Sequence, residues 1–99
     1  MKIYLYALDH HTPKLVCTEY EVEEKPKCYQ TPGKYYRRFL KEDFNKITGY
    51  SHNEVLLTEP DTVKAVQLLK TRIRYELEQL TEQINKKRKE LDLLDQYDQ

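Results

Sequence analysis

Basic and aromatic side chains alternate between residues 34 and 46, and this segment is the part of the sequence best suited to bind a ligand. Arginine guanidinium groups bind phosphates through paired hydrogen bonds, and aromatic rings stack on nucleobases. Only Glu42 and Asp43 offset the five basic residues of the segment. The pattern therefore predicts a site for a nucleotide or a single strand. The candidate ligand-binding residues here are Tyr35, Tyr36, Arg37, Arg38 and Phe44.

A second cluster, Arg72, Arg74 and Tyr75, lies within a long predicted helix and adds three candidate ligand-binding residues. Asn53 is another, because a loop that faces the basic segment would let its amide donate to a ligand. Alternatives stay open for both clusters. The aromatic side chains of the first could belong to the core, with its arginines paired to nearby acids. The arginines of the second could form ion pairs four residues along the helix, with Glu76 and Glu78.

The sequence offers no arrangement typical of an enzyme. It contains no Ser-His-Asp ordering, no glycine-rich phosphate loop and no zinc-ligand spacing. His10 and His11 lie in a predicted turn, and Cys17 and Cys28 lie on predicted strands. We therefore expect a non-catalytic protein with no metal and no cofactor, whose two thiols are reduced in a cytoplasmic setting.

Composition limits the possible partners. The chain of 99 residues is expected to form one domain, residues 1–99. Its 17 basic and 17 acidic residues give no net charge. No overall electrostatic field attracts nucleic acid, and nucleic acid is therefore not expected as a partner. No apolar run approaches the roughly 20 residues that cross a bilayer, so no membrane association is expected.

The pattern of apolar residues predicts an α+β fold, in which a small N-terminal antiparallel sheet (1–57) precedes one long helix (58–97). Strands are expected at 2–8 and 14–24, joined as a hairpin, and again at 27–31 and 51–57. In the second strand, the alternation places Val16, Thr18, Tyr20 and Val22 toward the core. A short helical turn is expected at 41–47.

The long helix is predicted to begin at Thr58 as N-cap, with Pro60 in the first turn and Asp61 at the capping-box position. No later glycine or proline ends it. Apolar residues recur at alternating spacings of three and four, as in a coiled-coil seam. The seam positions are Val63, Val66, Lys70, Ile73, Leu77, Leu80, Ile84, Lys87, Leu91 and Leu94.

This seam predicts that the first three turns pack on the sheet and that the later turns pack on another copy of the helix. A homodimer is therefore expected. The alternative is a helix that folds back as a hairpin near Asn85, although no turn-forming residue supports it. The predicted interface residues are Ile73, Leu77, Leu80, Ile84, Leu91 and Leu94.

The order of these segments carries a resemblance. A short first strand, the run Glu21–Lys27 and the aromatic loop lead to Lys41–Asp43, and a strand ending in Leu57–Glu59 precedes a long helix with Ala65. This layout resembles small proteins encoded by phages of Firmicutes, among them the anti-Thoeris sponges. Those proteins sequester cyclic ADP-ribose isomers and so silence a host immune signal.

The resemblance implies a sheet-plus-helix protomer, a dimer held by the helices and ligand pockets near the interface. Some members also form hexamers that hold cyclic oligonucleotides at separate sites. The expected function is therefore capture of a cyclic nucleotide immune signal in the host cytoplasm. The alternative is a structural phage factor that blocks a host protein through its long helix and tyrosine-rich sheet.

Overall fold

Residues 1–98, which the computed structural model describes, form two antiparallel sheets followed by one long helix. One sheet has four strands in the order β2-β1-β7-β6, and the other has three in the order β3-β4-β5. The predicted α+β architecture is confirmed. The strands are β1 (Lys2–Asp9), β2 (Lys14–Glu21), β3 (Glu23–Glu24), β4 (Cys28–Gln30), β5 (Arg38–Leu40), β6 (Ile47–Thr48) and β7 (Glu54–Leu57), and helix α1 spans Thr62–Asp95.

Strand β1 is the centre of the fold because both of its faces are covered. Ile3 and Leu5 face the three-stranded sheet, while Tyr6 faces α1. Successive residues of a strand point to opposite faces, which produces this division. Leu5 pairs with Leu56 and Tyr6 pairs with Val55, so the residues of β7 are divided between the same two faces. The four-stranded sheet therefore separates two small cores. The first contains Ile3, Leu5, Val22, Phe39, Phe44 and Leu56, and the second contains Tyr6, Val55, Leu57, Ala65 and Leu69.

The β1–β2 hairpin is confirmed, but the predicted strand 14–24 is divided at Val22. The amide of Val22 donates to the carbonyl of Met1 at 2.8 Å, and its side chain is buried where the chain crosses to the second sheet. Tyr20 and Val22 face the core as predicted. The prediction was wrong for Val16 and Thr18, which are exposed, because the strands of the second sheet are too short to reach them.

The predicted helical turn at 41–47 is shorter than expected. Only Lys41–Asp43 are helical, as one 3-10 turn. The backbone becomes extended at Phe44, which pairs with Leu56. Asn45 then adopts a left-handed conformation with φ of 63°. Burial of the Phe44 ring therefore ends the turn, and Ile47 enters β6 instead.

Helix α1 begins four residues later than predicted. Asp61 is its N-cap, and the Asp61 carboxylate accepts a hydrogen bond from the Lys64 amide at 3.0 Å. Aspartate is a stronger N-cap than threonine. Pro60 also disfavours helical backbone at Glu59, which would be the first helical residue after an N-cap at Thr58, so Thr58 does not start the helix. The helix ends at Asp95 rather than at residue 97.

Replacing Asp61 with alanine is expected to lower the free energy of unfolding by about 1 kcal/mol, because the Lys64 amide loses its acceptor. Thr58→Ala is the matched control and should change it little. Urea unfolding monitored by circular dichroism measures both. A larger loss for Thr58→Ala than for Asp61→Ala would place the helix start at Thr58 after all.

Only the first turns of α1 pack on the sheet. Ala65 and Leu69 are its buried residues, and the helix contacts β1, β6 and β7. Its 34 residues extend for about 51 Å, and the molecule measures 70 × 26 × 24 Å. Its radius of gyration, 19.9 Å, exceeds the roughly 13 Å of a compact chain of this length. The second half of α1 therefore projects away from the sheets.

Candidate functional site

The loop that carries the first cluster is closed at its base by two hydrogen bonds. The Thr31 amide donates to the Arg37 carbonyl at 3.0 Å, and the Arg37 amide donates to the Thr31 hydroxyl at 2.7 Å. Strand β5 follows directly and pairs with β4. Arg37 and Arg38 are therefore anchored to a sheet, while residues 32–36 extend into solvent.

Arg37 directly precedes β5 and lies against the aromatic rings at the edge of the first core. Its guanidinium carbon lies 4.7 Å from the centre of the Phe39 ring and 5.5 Å from that of Tyr20. Its Nη1 also donates to the Tyr20 hydroxyl at 3.0 Å. Phe39 is buried, so this guanidinium covers the edge of the first core. Arg37 is thus oriented by two aromatic rings.

Arg38 points to the opposite face, because neighbouring residues alternate along a strand. Its guanidinium carbon lies 5.2 Å from the centre of the Tyr36 ring, and its Nη2 donates to the Tyr36 hydroxyl at 3.2 Å. Tyr36 is 45% exposed and Tyr35 is 91% exposed. Within residues 1–98, neither Arg37 nor Arg38 forms an ion pair with a carboxylate. Both guanidinium groups therefore keep their charge available, but on different faces.

Phe44 does not belong to a ligand site. It is buried in the first core, and its ring centre lies 5.0 Å from that of Tyr29. The alternative interpretation of this residue, as part of the core, is the correct one. The prediction failed because a phenylalanine between charged residues has the same pattern whether it stacks on a ligand or fills a core.

Lys41 has an acidic partner that sequence reasoning missed. Its ammonium lies 2.7 Å from the Glu24 carboxylate and 5.3 Å from the centre of the Tyr29 ring. Glu24 is distant from Lys41 in sequence and is brought beside it by the pairing of β3 with β4 and of β4 with β5. Lys41 therefore helps to join the strands of the second sheet.

Asn53 has a structural contact. Its side-chain amide donates to the Leu8 carbonyl at 2.8 Å, and the Leu8 amide donates to the Asn53 carbonyl at 2.9 Å. These two bonds extend the pairing of β1 with β7. One N–H of the Asn53 amide is therefore used within the fold.

The second cluster lies on α1. Arg72 forms an ion pair with Glu76 at 3.0 Å, and its guanidinium carbon lies 5.1 Å from the centre of the Tyr75 ring. The alternative predicted for Arg72 is thus confirmed, whereas Arg74 forms no ion pair with Glu78 or any other carboxylate within residues 1–98. Arg74 instead lines a groove beside the sheet.

The two clusters are not brought together in a single chain. β5, which contains Arg38 and directly follows Arg37, packs on one face of the four-stranded sheet, whereas α1 packs on the other. Sequence reasoning had no signal for this separation, because it depends on which face of β1 each segment covers. One protomer therefore presents two separate basic and aromatic surfaces.

A groove between the hairpin and the helix was also not predicted. Leu8 and Leu15 form its sheet side, Val66 and Ile73 form its helix side, and Lys70 and Arg74 lie at its rim. Its volume is about 340 Å³. We call it the hairpin–helix groove. The signal that could have found it is Leu15, an apolar residue at the start of a strand whose other outward residues are polar.

Glu21 pairs with the N-terminus of the chain. The N-terminal ammonium donates to Glu21 at 2.8 Å and, with Lys2, lowers the pKa of that carboxyl below its ordinary value of 4.5. Within residues 1–98, no three His, Cys, Asp or Glu side chains lie where they could share a metal ion. In that part of the chain, α1 is too polar to span a bilayer, and no other helix is long enough.

No protein-family model, curated protein or solved structure that was compared with this chain matches it. The candidate surfaces must therefore be judged by their own chemistry. That chemistry consists of guanidinium groups held against tyrosine and phenylalanine rings, together with an exposed apolar stripe along α1.

Proposed function

We propose that this chain is a non-catalytic binding protein that assembles as a homodimer through α1 and captures a cyclic nucleotide signal. The anti-Thoeris resemblance makes cyclic ADP-ribose isomers the first ligands to test, with cyclic oligonucleotides next. Capture of such a signal in the host cytoplasm would counteract antiphage defence.

The observation that carries this proposal is the surface formed by Tyr35, Tyr36 and Arg38. The guanidinium of Arg38 is oriented by Tyr36 and has no carboxylate partner within residues 1–98. A guanidinium fixed in this way loses little conformational entropy when it binds a phosphate. Tyr35 and Tyr36 are exposed and offer faces for a base. The surface thus combines an oriented cation with stacking rings.

Isothermal titration calorimetry with cyclic ADP-ribose isomers tests the proposal. Arg38→Ala should weaken binding at least tenfold, equivalent to about 1.4 kcal/mol, because a charge-assisted hydrogen bond to phosphate is lost. Arg38→Lys should give an intermediate loss, since it keeps the charge but not the paired donors. Lys89→Ala, which removes the same charge from the far part of α1, should bind like the unmodified chain.

The proposal fails if the unmodified protein binds no cyclic nucleotide in this titration. It also fails if Arg38→Ala and Lys89→Ala bind equally well, because the site would then lie elsewhere. Native mass spectrometry of protein purified from cells that make the signal provides an independent readout of the bound mass.

A second candidate function rests on the same helix. The exposed apolar stripe of α1 could contact a host protein instead of a second copy, with the tyrosine-rich sheet as a further contact surface. Under this alternative the purified chain is a monomer and binds no nucleotide. Sedimentation equilibrium of the purified chain therefore separates the two candidates.

A further inference from the structure

The charged residues of α1 and of the short segment after it form four blocks of alternating sign. The charged residues between 64 and 74 are basic, and those between 76 and 82 are acidic. Residues 86–89 are again basic, and residues 90–98 are acidic. In order, the blocks contain Lys64, Lys70, Arg72 and Arg74; Glu76, Glu78 and Glu82; Lys86, Lys87, Arg88 and Lys89; and Glu90, Asp92, Asp95 and Asp98.

These blocks distinguish the two ways in which a pair of helices can align. A parallel pair places every block beside its own copy, so that the four basic residues 86–89 face an identical run. An antiparallel pair centred near Glu82 places each basic block beside an acidic one. Where neighbouring blocks meet, Arg72 pairs with Glu76 and Lys87 pairs with Glu90. The other charged side chains of the four blocks form no ion pair within residues 1–98, so they remain available to a partner helix. Electrostatics therefore favours the antiparallel arrangement.

The seam fits the same alignment. When Leu80 of one helix lies beside the partner's Ile84, Ile73 lies beside the partner's Leu91 and Lys70 lies beside the partner's Leu94. Lys87 then lies beside the partner's Leu77, near two acidic residues, instead of facing a second Lys87. An amino group in a seam is stabilised by such acidic neighbours.

This alignment brings the end of one helix to the hairpin–helix groove of the other. Ile73 and Val66 line the groove, and they are also seam positions, so the groove continues the seam onto the sheet. Its walls are apolar and its rim carries Lys70 and Arg74. The partner's last turns offer the complement, with exposed leucines at 91 and 94 beside aspartates at 92 and 95.

From this complementarity we infer that the occupant of the hairpin–helix groove is the Leu91–Asp95 segment of a second copy of this chain, running antiparallel. The inference rests on the proposed dimerisation through α1 and specifies its orientation. Each protomer supplies one groove and one acidic helix end, so the contact occurs twice and closes the dimer. Leu8 and Leu15 of the hairpin are covered in the dimer.

Spin labels at single cysteines test the orientation, in a background with Cys17→Ser and Cys28→Ser. In the antiparallel pair, residue 96 of one helix lies beside residue 68 of the other, so 28 residues of helix separate the two labelled positions. Two labels at Gln96→Cys should therefore lie more than 40 Å apart. In a parallel pair the same labels would be about 20 Å apart. Gln79→Cys, close to the midpoint, should give a short distance in either arrangement and serves as the control.

Three results are possible, and each decides the inference. A short Gln79→Cys distance with a long Gln96→Cys distance supports it. Short distances at both positions establish a parallel pair and overturn it. No defined distance at Gln79→Cys shows that the helices do not pair. Nucleotide titration is independent of this readout, so loss of the orientation and loss of ligand capture can be told apart.

Charge reversal provides a second test of the groove contact. Lys70→Glu with Arg74→Glu, or Asp92→Lys with Asp95→Lys, should each weaken dimerisation at least tenfold, and all four changes in one chain should restore it. In a parallel pair, like charges face each other before and after either reversal, so neither double variant would weaken the dimer. Sedimentation equilibrium at constant salt measures the dissociation constants.

Discussion

Replacing both Leu80 and Ile84 with glutamate is expected to convert the proposed homodimer into a monomer while leaving the sheets folded. The two side chains are 54% and 51% exposed in the single chain and belong to neither core. Burial of each in a dimer contributes about 1.5 kcal/mol, so four copies contribute about 6 kcal/mol. Losing that contribution raises the dissociation constant roughly ten-thousandfold.

Sedimentation equilibrium over a range of concentrations measures this change. The matched control is Gln79→Glu with Asn85→Glu, which alters the charge equally but outside the seam, and it should remain dimeric. Near-ultraviolet circular dichroism of the sheet tyrosines should be the same for all three proteins. If the Leu80→Glu/Ile84→Glu chain stays dimeric, the seam is not the interface.

Replacing Ile3 with alanine is expected to have the largest effect on folding. Ile3 is 0% exposed and lies in the first core, between β1 and the three-stranded sheet. Truncation of a fully buried isoleucine costs about 2–5 kcal/mol, because transfer energy is lost and a cavity is left. A domain of this size has a total stability of about 5–15 kcal/mol, so the variant should be close to unfolding.

Urea unfolding measures the loss, at one fixed protein concentration because the proposed dimerisation would make stability depend on concentration. Val16→Ala is the control on the neighbouring strand. Val16 is 41% exposed and contacts neither core, so its truncation should cost less than about 1 kcal/mol. Equal losses for Ile3→Ala and Val16→Ala would mean that the first core does not hold the sheets together.

The elements with a strong local pattern could be predicted from the sequence. The spacing of apolar residues identified α1, and alternation identified the β1–β2 hairpin. The N-cap of α1 was predicted three residues too early, at Thr58 instead of Asp61. In the structure, Pro60 disfavours helical backbone at Glu59, and the Asp61 carboxylate accepts a hydrogen bond from the Lys64 amide, so Asp61 is the N-cap.

The candidate site depended on contacts between distant segments, and these could not be predicted. Phe44 and Tyr36 have similar sequence surroundings, yet one fills a core and the other is half exposed. The pairing of Lys41 with Glu24 needs the β3–β4 ladder, which a run of two or three residues does not reveal. The separation of Arg38 from Arg72 likewise follows from the three-layer order of the fold.

The length of α1 also affects how the protein moves through water. A particle of 70 × 26 × 24 Å experiences more friction than a sphere of the same mass. Even the monomer should therefore elute early from a gel-filtration column, at the volume of a heavier globular protein. In the antiparallel pair the two sheets lie at opposite ends of the helices, so the dimer is longer as well as heavier than the monomer. Because shape and mass change together, light scattering distinguishes the two more reliably than elution volume.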